Sequence, residues 1–176
     1  MNLSTPPWSV IVLLDVSGSM AEQEKFGLAK YLCAAVASYL QIHSSDGMNL
    51  QLRIFAASGE DFAEVSLNDD LFRRLRPSGR FGVRFACAKL LEALADQRAN
   101  VLLLTDKRVG NFHFEQELAS CVCELHVILL GLEHGELEPD LRDGVSHYSA
   151  DDALFALERL LSSNAASQCC LRKAAS

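Results

Sequence analysis

The chain has 176 residues, 49% of them apolar, a formal charge of −7 and an isoelectric point near 5.2. That length and apolar content enclose a core without metal or disulfide staples, and the negative field argues against general affinity for nucleic acid or anionic membrane. No apolar stretch approaches the roughly 20 residues of a membrane span, and the opening Met1-Asn2-Leu3-Ser4-Thr5-Pro6-Pro7 lacks the basic stretch and apolar core of a secretory signal, so a cytoplasmic protein is expected.

Strand-length apolar runs alternate with helical patterns, the signature of a parallel sheet flanked by helices. Trp8 to Leu14 reads as the first strand. From Glu22 to Leu40, Phe26, Ala29, Leu32, Cys33, Val36 and Leu40 recur at three and four and predict a long amphipathic helix. A polar turn, His43 to Asn49, precedes a second strand over Leu50 to Ala56. Ser58-Gly59-Glu60-Asp61 has the length of a hairpin connection, and Glu64 to Leu67 is expected as a short edge strand. Asn68 then caps a short helix, Asp69 to Leu75. Pro77-Ser78-Gly79 breaks the chain before a helix from about Val83 to Ala95 with Phe85, Ala88, Leu91 and Leu94 on one face. Val101 to Asp106 is a strand, a helix is expected near Phe114 to Cys121, and Leu125 to Leu130 is a strand ended by Gly131. Glu136 to Arg142 suits a short helix, Asp143-Gly144 a turn and Val145 to Tyr148 a last short strand. Ser149-Ala150-Asp151-Asp152 resembles a capping box opening a helix through Leu161. One domain over residues 1–161 and a small, polar, fraying tail over 162–176 result.

The six cysteines offer no C-x2-C spacing. Cys33 and Cys87 sit in apolar helical patterns, Cys121 and Cys123 flank Val122, and Cys169-Cys170 lie in the tail, so reduced core thiols are expected for the first four. His43, His113, His126, His134 and His147 are scattered without metal-ligand spacing. No nucleophile elbow, phosphate loop or dinucleotide fingerprint is present. Asp15-Val16-Ser17 also lacks the second carboxylate, two residues on, of a haloacid-dehalogenase-type phosphatase. These absences weaken the case for an enzyme.

Chemistry concentrates at two places. Asp15-Val16-Ser17-Gly18-Ser19 follows the apolar run Val10 to Leu14, and the run Val101 to Leu104 ends in Thr105-Asp106. If these are neighbouring parallel strands, their carboxyl ends bring two carboxylates and two hydroxyls to the rim where open α/β sheets bind ligands. Two carboxylates about 5 Å apart repel by roughly 3 kcal/mol at an effective dielectric near 20. A proton or a hard divalent cation such as magnesium is then expected between them. The structural alternative is that Ser19-Met20-Ala21-Glu22 forms a capping box on the long helix and that Ser17 serves a turn. Asp15 resists that alternative, because a carboxylate ending an apolar run needs a partner or water.

Asp15-Val16-Ser17-Gly18-Ser19-Met20, with Thr105-Asp106 at a later strand end, resembles the metal-ion-dependent adhesion site of von Willebrand factor type A domains. The likeness runs from Trp8 to about Leu161. It implies a Rossmann-like, doubly wound α/β fold: a mostly parallel six-stranded sheet, one antiparallel edge strand, helices on both faces. It further implies a magnesium ion, or manganese or calcium, held by Asp15, Ser17, Ser19 and Asp106, with an open position for an Asp or Glu of a partner protein. The sequence departs from the family where a Thr normally precedes the third helix: Ser78-Gly79-Arg80-Phe81-Gly82 stands there. Ser78 is the available hydroxyl, and Arg80 is long enough to replace the ion. Lys107 takes the place of the usual Gly after the second Asp, with Arg108 beside it. Ser78, Arg80 and Lys107 are therefore the residues expected to meet a partner. Arg73, Arg74, Arg76, Arg80 and Arg84 either solvate a short helix or form an acid-facing patch. The resulting expectation is an adaptor module, in family analogy a bacterial one working beside an AAA+ ATPase or in a stress or conflict system. Two other readings stand beside it: a metal-free binding module closed by Arg80, and a metal-assisted phosphoester hydrolase.

Overall fold

The computed structural model describes residues 8–44, 50–94, 99–106, 122, 124–131 and 145–162. Six strands form one sheet: β1 (Trp8–Asp15), β2 (Leu50–Ser58), β3 (Asp61–Val65), β4 (Asn100–Thr105), β5 (Glu124–Leu129) and β6 (Val145–Ser149), in the spatial order β3-β2-β1-β4-β5-β6. All neighbours pair in parallel except β2 and β3. The fold class expected from the sequence, a mostly parallel six-stranded sheet with one antiparallel edge, is what the chain adopts.

Side-chain alternation along β1 divides the core. Val10, Val12 and Leu14 face one side, where they pack with Phe26, Ala29, Leu32, Cys33, Val36 and Leu40 of α1 (Lys25–Ser44), Phe72 of α2 (Asp70–Arg74), and Ala156, Leu157 and Leu160 of α4 (residues 153–162). Ile11 and Leu13 face the other, with Ala86, Cys87, Leu90 and Leu94 of α3 (Val83–Leu94). Burial on both faces explains why β1 and β4 read as unbroken apolar runs. Every residue of β4 is buried.

Several element boundaries differ from the sequence reading. The segment Gly18–Glu24 is a 3-10 turn with a kink at Glu22 and Gln23, so the long helix begins at Lys25 rather than Glu22. β3 starts at Asp61, directly across from Ser58, because Gly59 takes a left-handed conformation (φ 57°) and a two-residue turn suffices. Asp69, not Asn68, caps α2, accepting from the Leu71 N–H at 3.1 Å. Ser149 makes no backbone cap; its hydroxyl donates to Asp152 at 2.8 Å.

The buried face of α3 is turned from the expected one. Leu94 is buried as expected, but Phe85 and Leu91 are only half-buried and Ala88 is exposed, whereas Ala86, Cys87 and Leu90 are in the core. Just before this helix the backbone runs close to the β2–β3 turn: a Cβ at Gly82 would lie 2.5 Å from the Gly59 carbonyl oxygen. The helices expected near 114–121 and 136–142, the turn at 143–144 and the tail beyond 162 lie outside the described residues. Among the described residues no helix is long and apolar enough to cross a membrane.

Candidate functional site

The chain leaves β1, crosses one face through α1 to β2, and returns across the other face through α3 to β4 on the opposite side of β1. β1 and β4 therefore flank the point where the strand order reverses, and a crevice opens at their carboxyl ends. Leu14 pairs with Leu104, so Asp15 and Thr105 emerge side by side and Asp106 follows.

The loop after β1 is held from beneath. Val16 and Met20 are buried in the core below, while Asp15, Ser17 and Ser19 turn to the rim. Gly18 does not adopt a left-handed conformation; its N–H donates to the Gly79 carbonyl at 3.0 Å. The D-x-S-x-S spacing thus follows from alternating apolar anchors and polar side chains in a segment leaving a strand.

One hydrogen-bonded chain links the oxygens of the two strand ends. Asp15 Oδ2 accepts from the Thr105 hydroxyl at 2.7 Å and Asp15 Oδ1 from the Ser17 N–H at 2.8 Å. The hydroxyls of Ser17 and Ser19 lie 3.2 Å apart, and Ser19 Oγ donates to Asp106 Oδ1 at 3.0 Å. Lys25 Nζ closes the chain, donating to Asp106 Oδ2 at 3.1 Å. The four residues singled out from the sequence are therefore together. The capping-box alternative for Ser19 does not hold, because its hydroxyl serves Asp106 and the residues after it do not form an α-helical turn.

Charge is unevenly compensated. Asp15 is fully buried and, among the described residues, meets only neutral donors. Burial pushes its carboxyl above the ordinary carboxylate range against the opposing pull of the Ser17 and Thr105 hydrogen bonds, and the nearby charge of Asp106 adds to the rise. Asp106 has Lys25. That lysine sits after Gln23 and Glu24, both left-handed at φ 49° and 58°; each such residue other than glycine costs about 1–2 kcal/mol.

The expected partner-facing residues are placed differently from one another. Ser78 and Arg80 are exposed, and it is their backbone that is engaged. Ser78 N–H donates to the Val16 carbonyl at 2.8 Å, the Ser78 carbonyl accepts from the Ser58 hydroxyl, and the Arg80 carbonyl accepts from the Gly59 N–H. The cation beside Asp106 is Lys25, not Arg80; among the described residues no ion pair joins the Arg80 guanidinium to either carboxylate. Lys107 and Arg108 lie outside the described residues. The arginines of α2 are exposed, Arg74 pairing with Asp70 at 3.6 Å, and beyond the helix the exposed Arg76 donates to the Arg73 and Leu75 carbonyls.

Thr105 and Lys25 are the site residues that the sequence reading did not assign. Thr105 was visible as the residue before Asp106. Lys25 carried no spacing signal, because its approach depends on the kink at Glu22 and Gln23.

The donor set suits a hard cation. Two carboxylates and the hydroxyls of Ser17 and Ser19 converge, and among the described residues no cation pairs with the buried Asp15 carboxylate. Among the described residues no group of three or more His, Cys, Asp or Glu side chains gathers to hold a metal.

Fold and rim define the class: a doubly wound, Rossmann-like α/β domain with an oxygen cluster at its topological switch point. No protein-family model and no curated protein matches the chain by sequence. Among solved structures it is similar to the manganese-loaded TRAP protein of Plasmodium vivax (TM-score 0.51, 16% identity, covering 88% of this chain and 73% of that one). It is also similar to proximal thread matrix protein 1 of the mussel byssus (0.51, 14%, 86% and 44%), and to the D319A mutant of the PilB minor pilin of Streptococcus sanguinis (0.50, 12%, 94% and 62%). The chain spans less than two thirds of the length of the last two. At these identities the likeness is one of fold.

Proposed function

We propose that the protein is a von Willebrand A-type interaction module that captures an Asp or Glu side chain of a partner protein through a divalent ion at the rim, without catalysing a reaction. The observation that carries this reading is the convergence of Asp15 and Asp106 from two distant stretches, bridged by the Ser17 and Ser19 hydroxyls, with no cation paired to Asp15 among the described residues. Asp15, Ser17, Ser19 and Asp106 would hold the ion. When bound, a partly neutralised divalent ion supplies a positive centre that attracts one more carboxylate. The fold's likeness to a manganese-loaded protein supports a divalent ion as the kind of ligand. Ser78 and Arg80, exposed on the neighbouring loop, would meet the surroundings of the partner's acid, Arg80 by its charge. In family analogy the partner is a component of a bacterial AAA+ or stress-response assembly inside the cell.

The test is the thermal midpoint with magnesium or manganese against chelator, on wild type and Asp15→Ala. Metal concentrations tenfold above Kd stabilise by about 1.4 kcal/mol, and only the wild type should respond. Equal midpoints for wild type in metal and in chelator, with no binding of an acidic peptide in either, would overturn the ion-dependent reading.

A further inference from the structure

The cation already at the rim belongs to the chain itself, and its surroundings hold it in place. Lys25 Nζ lies 3.1 Å from Asp106 Oδ2, with the two side chains only 13% and 5% exposed. The lysine stem lies over the backbone at Gly131, where a Cβ would come within 2.6 Å of Lys25 Cε. The consecutive left-handed residues Gln23 and Glu24 direct the first residue of α1 back toward the end of β4. Glu22 Oε2, on a largely exposed side chain, is 3.9 Å from the same ammonium.

We propose that Lys25 is a tethered competitor of the divalent ion: its ammonium neutralises Asp106 in the ion-free protein and has to leave before Asp106 joins an ion. This rests on the reading of the rim as an ion site and adds how that site is regulated. One ammonium neutralises one carboxylate, and among the described residues Asp15 has only neutral partners, so the rim still favours a charge of +2. The displaced ammonium has a second carboxylate within reach in Glu22, at the solvent edge. Because coupling between two ligands of one site is reciprocal, an ion weakens the hold of Lys25 by the same factor by which Lys25 weakens the ion. Ion binding thereby reaches the start of α1, and ion affinity is held low until a partner carboxylate contributes to it.

The experiment is a manganese titration followed by electron paramagnetic resonance on the full chain, comparing wild type, Lys25→Met, Lys25→Arg and Asp15→Ala. Methionine keeps an aliphatic stem over Gly131 without the charge, Lys25→Gln serves as a second neutral variant, and circular dichroism in chelator verifies folding of each. Lys25→Met is expected to tighten manganese binding about tenfold, within the common range of two-site coupling, while Lys25→Arg does not tighten it. In wild type labelled with 13Cε-lysine, one resonance, absent from Lys25→Met, is expected to shift on magnesium saturation. If both neutral variants bind manganese no tighter than wild type while Asp15→Ala abolishes binding, the ion site stands and the competitor role fails. If neither wild type nor Lys25→Met binds manganese, the ion reading fails and this inference with it.

Discussion

Replacing Asp15 by Asn removes a buried negative charge while keeping the shape of the side chain. The carboxylate is fully buried, and its compensation among the described residues is the Ser17 N–H at 2.8 Å and the Thr105 hydroxyl at 2.7 Å. An amide oxygen still accepts from Ser17, and the new amide donor faces the Thr105 oxygen, which has lone pairs to receive it. What is lost is a charge that burial disfavours, so Asp15→Asn is expected to stabilise the ion-free protein by about 1–2 kcal/mol, the usual gain when a functional compromise is relieved. For a chain of this size that corresponds to a rise of about 2–8 °C in midpoint. The sign with pH follows from the raised folded-state pKa: ionisation of Asp15 costs stability above that value, and the cost disappears below the unfolded value of 3.8. The advantage of Asn should therefore be full at neutral pH in chelator and shrink toward zero on acidification, while the ion response is lost. Thermal unfolding at neutral and acidic pH measures both. An Asp15→Asn protein less stable than wild type at neutral pH in chelator would refute the view of Asp15 as an uncompensated charge.

Three further outcomes test other parts of the structure. Gly82→Ala places a Cβ 2.5 Å from the Gly59 carbonyl oxygen and is expected to cost about 1–3 kcal/mol by overpacking, read as a lower urea midpoint. Cys33 is buried and its thiol is pushed up to about 12 by that burial, so it should resist alkylation in the folded protein at neutral pH and react on unfolding; labelling followed by peptide mass spectrometry decides. His126 is buried between the Ala156 carbonyl at 3.0 Å and Glu124 at 3.1 Å, and burial lowers its pKa from 6.5. The unfolded state then binds the extra proton first, so stability should fall as pH drops below 6.5, by at most about 1.4 kcal/mol per pH unit. Urea midpoints at several pH values should show a shallower slope for His126→Asn.

The β1 and β4 runs were legible because parallel strands buried on both faces carry uninterrupted apolar sequence, and the site was legible because its polar residues end those runs. The buried face of α1 was equally plain: all six residues taken from its period, from Phe26 to Leu40, are in the core. The α3 face was not, since its sequence satisfies a three-and-four period in two rotations, and which one meets the sheet rests on contacts with residues distant in sequence. Lys25 escaped notice for a related reason. A lysine at a helix start reads as solvated, and only the left-handed pair before it brings the ammonium to Asp106. Arg80 is the better counter-ion on length alone, but its loop is fixed through peptide groups, and among the described residues its guanidinium forms no ion pair with either acid.

That fixation carries a wider consequence. Four backbone groups of residues 78–80, namely the Ser78 N–H and the carbonyls of Ser78, Gly79 and Arg80, tie this stretch to the two neighbouring turns. Peptide groups are common to every amino acid, so apart from Gly79, left-handed at φ 68°, the side chains displayed there can be rewritten without disturbing the scaffold. A lineage could retarget such a domain by drift in a few exposed letters while the oxygens beneath stay in register.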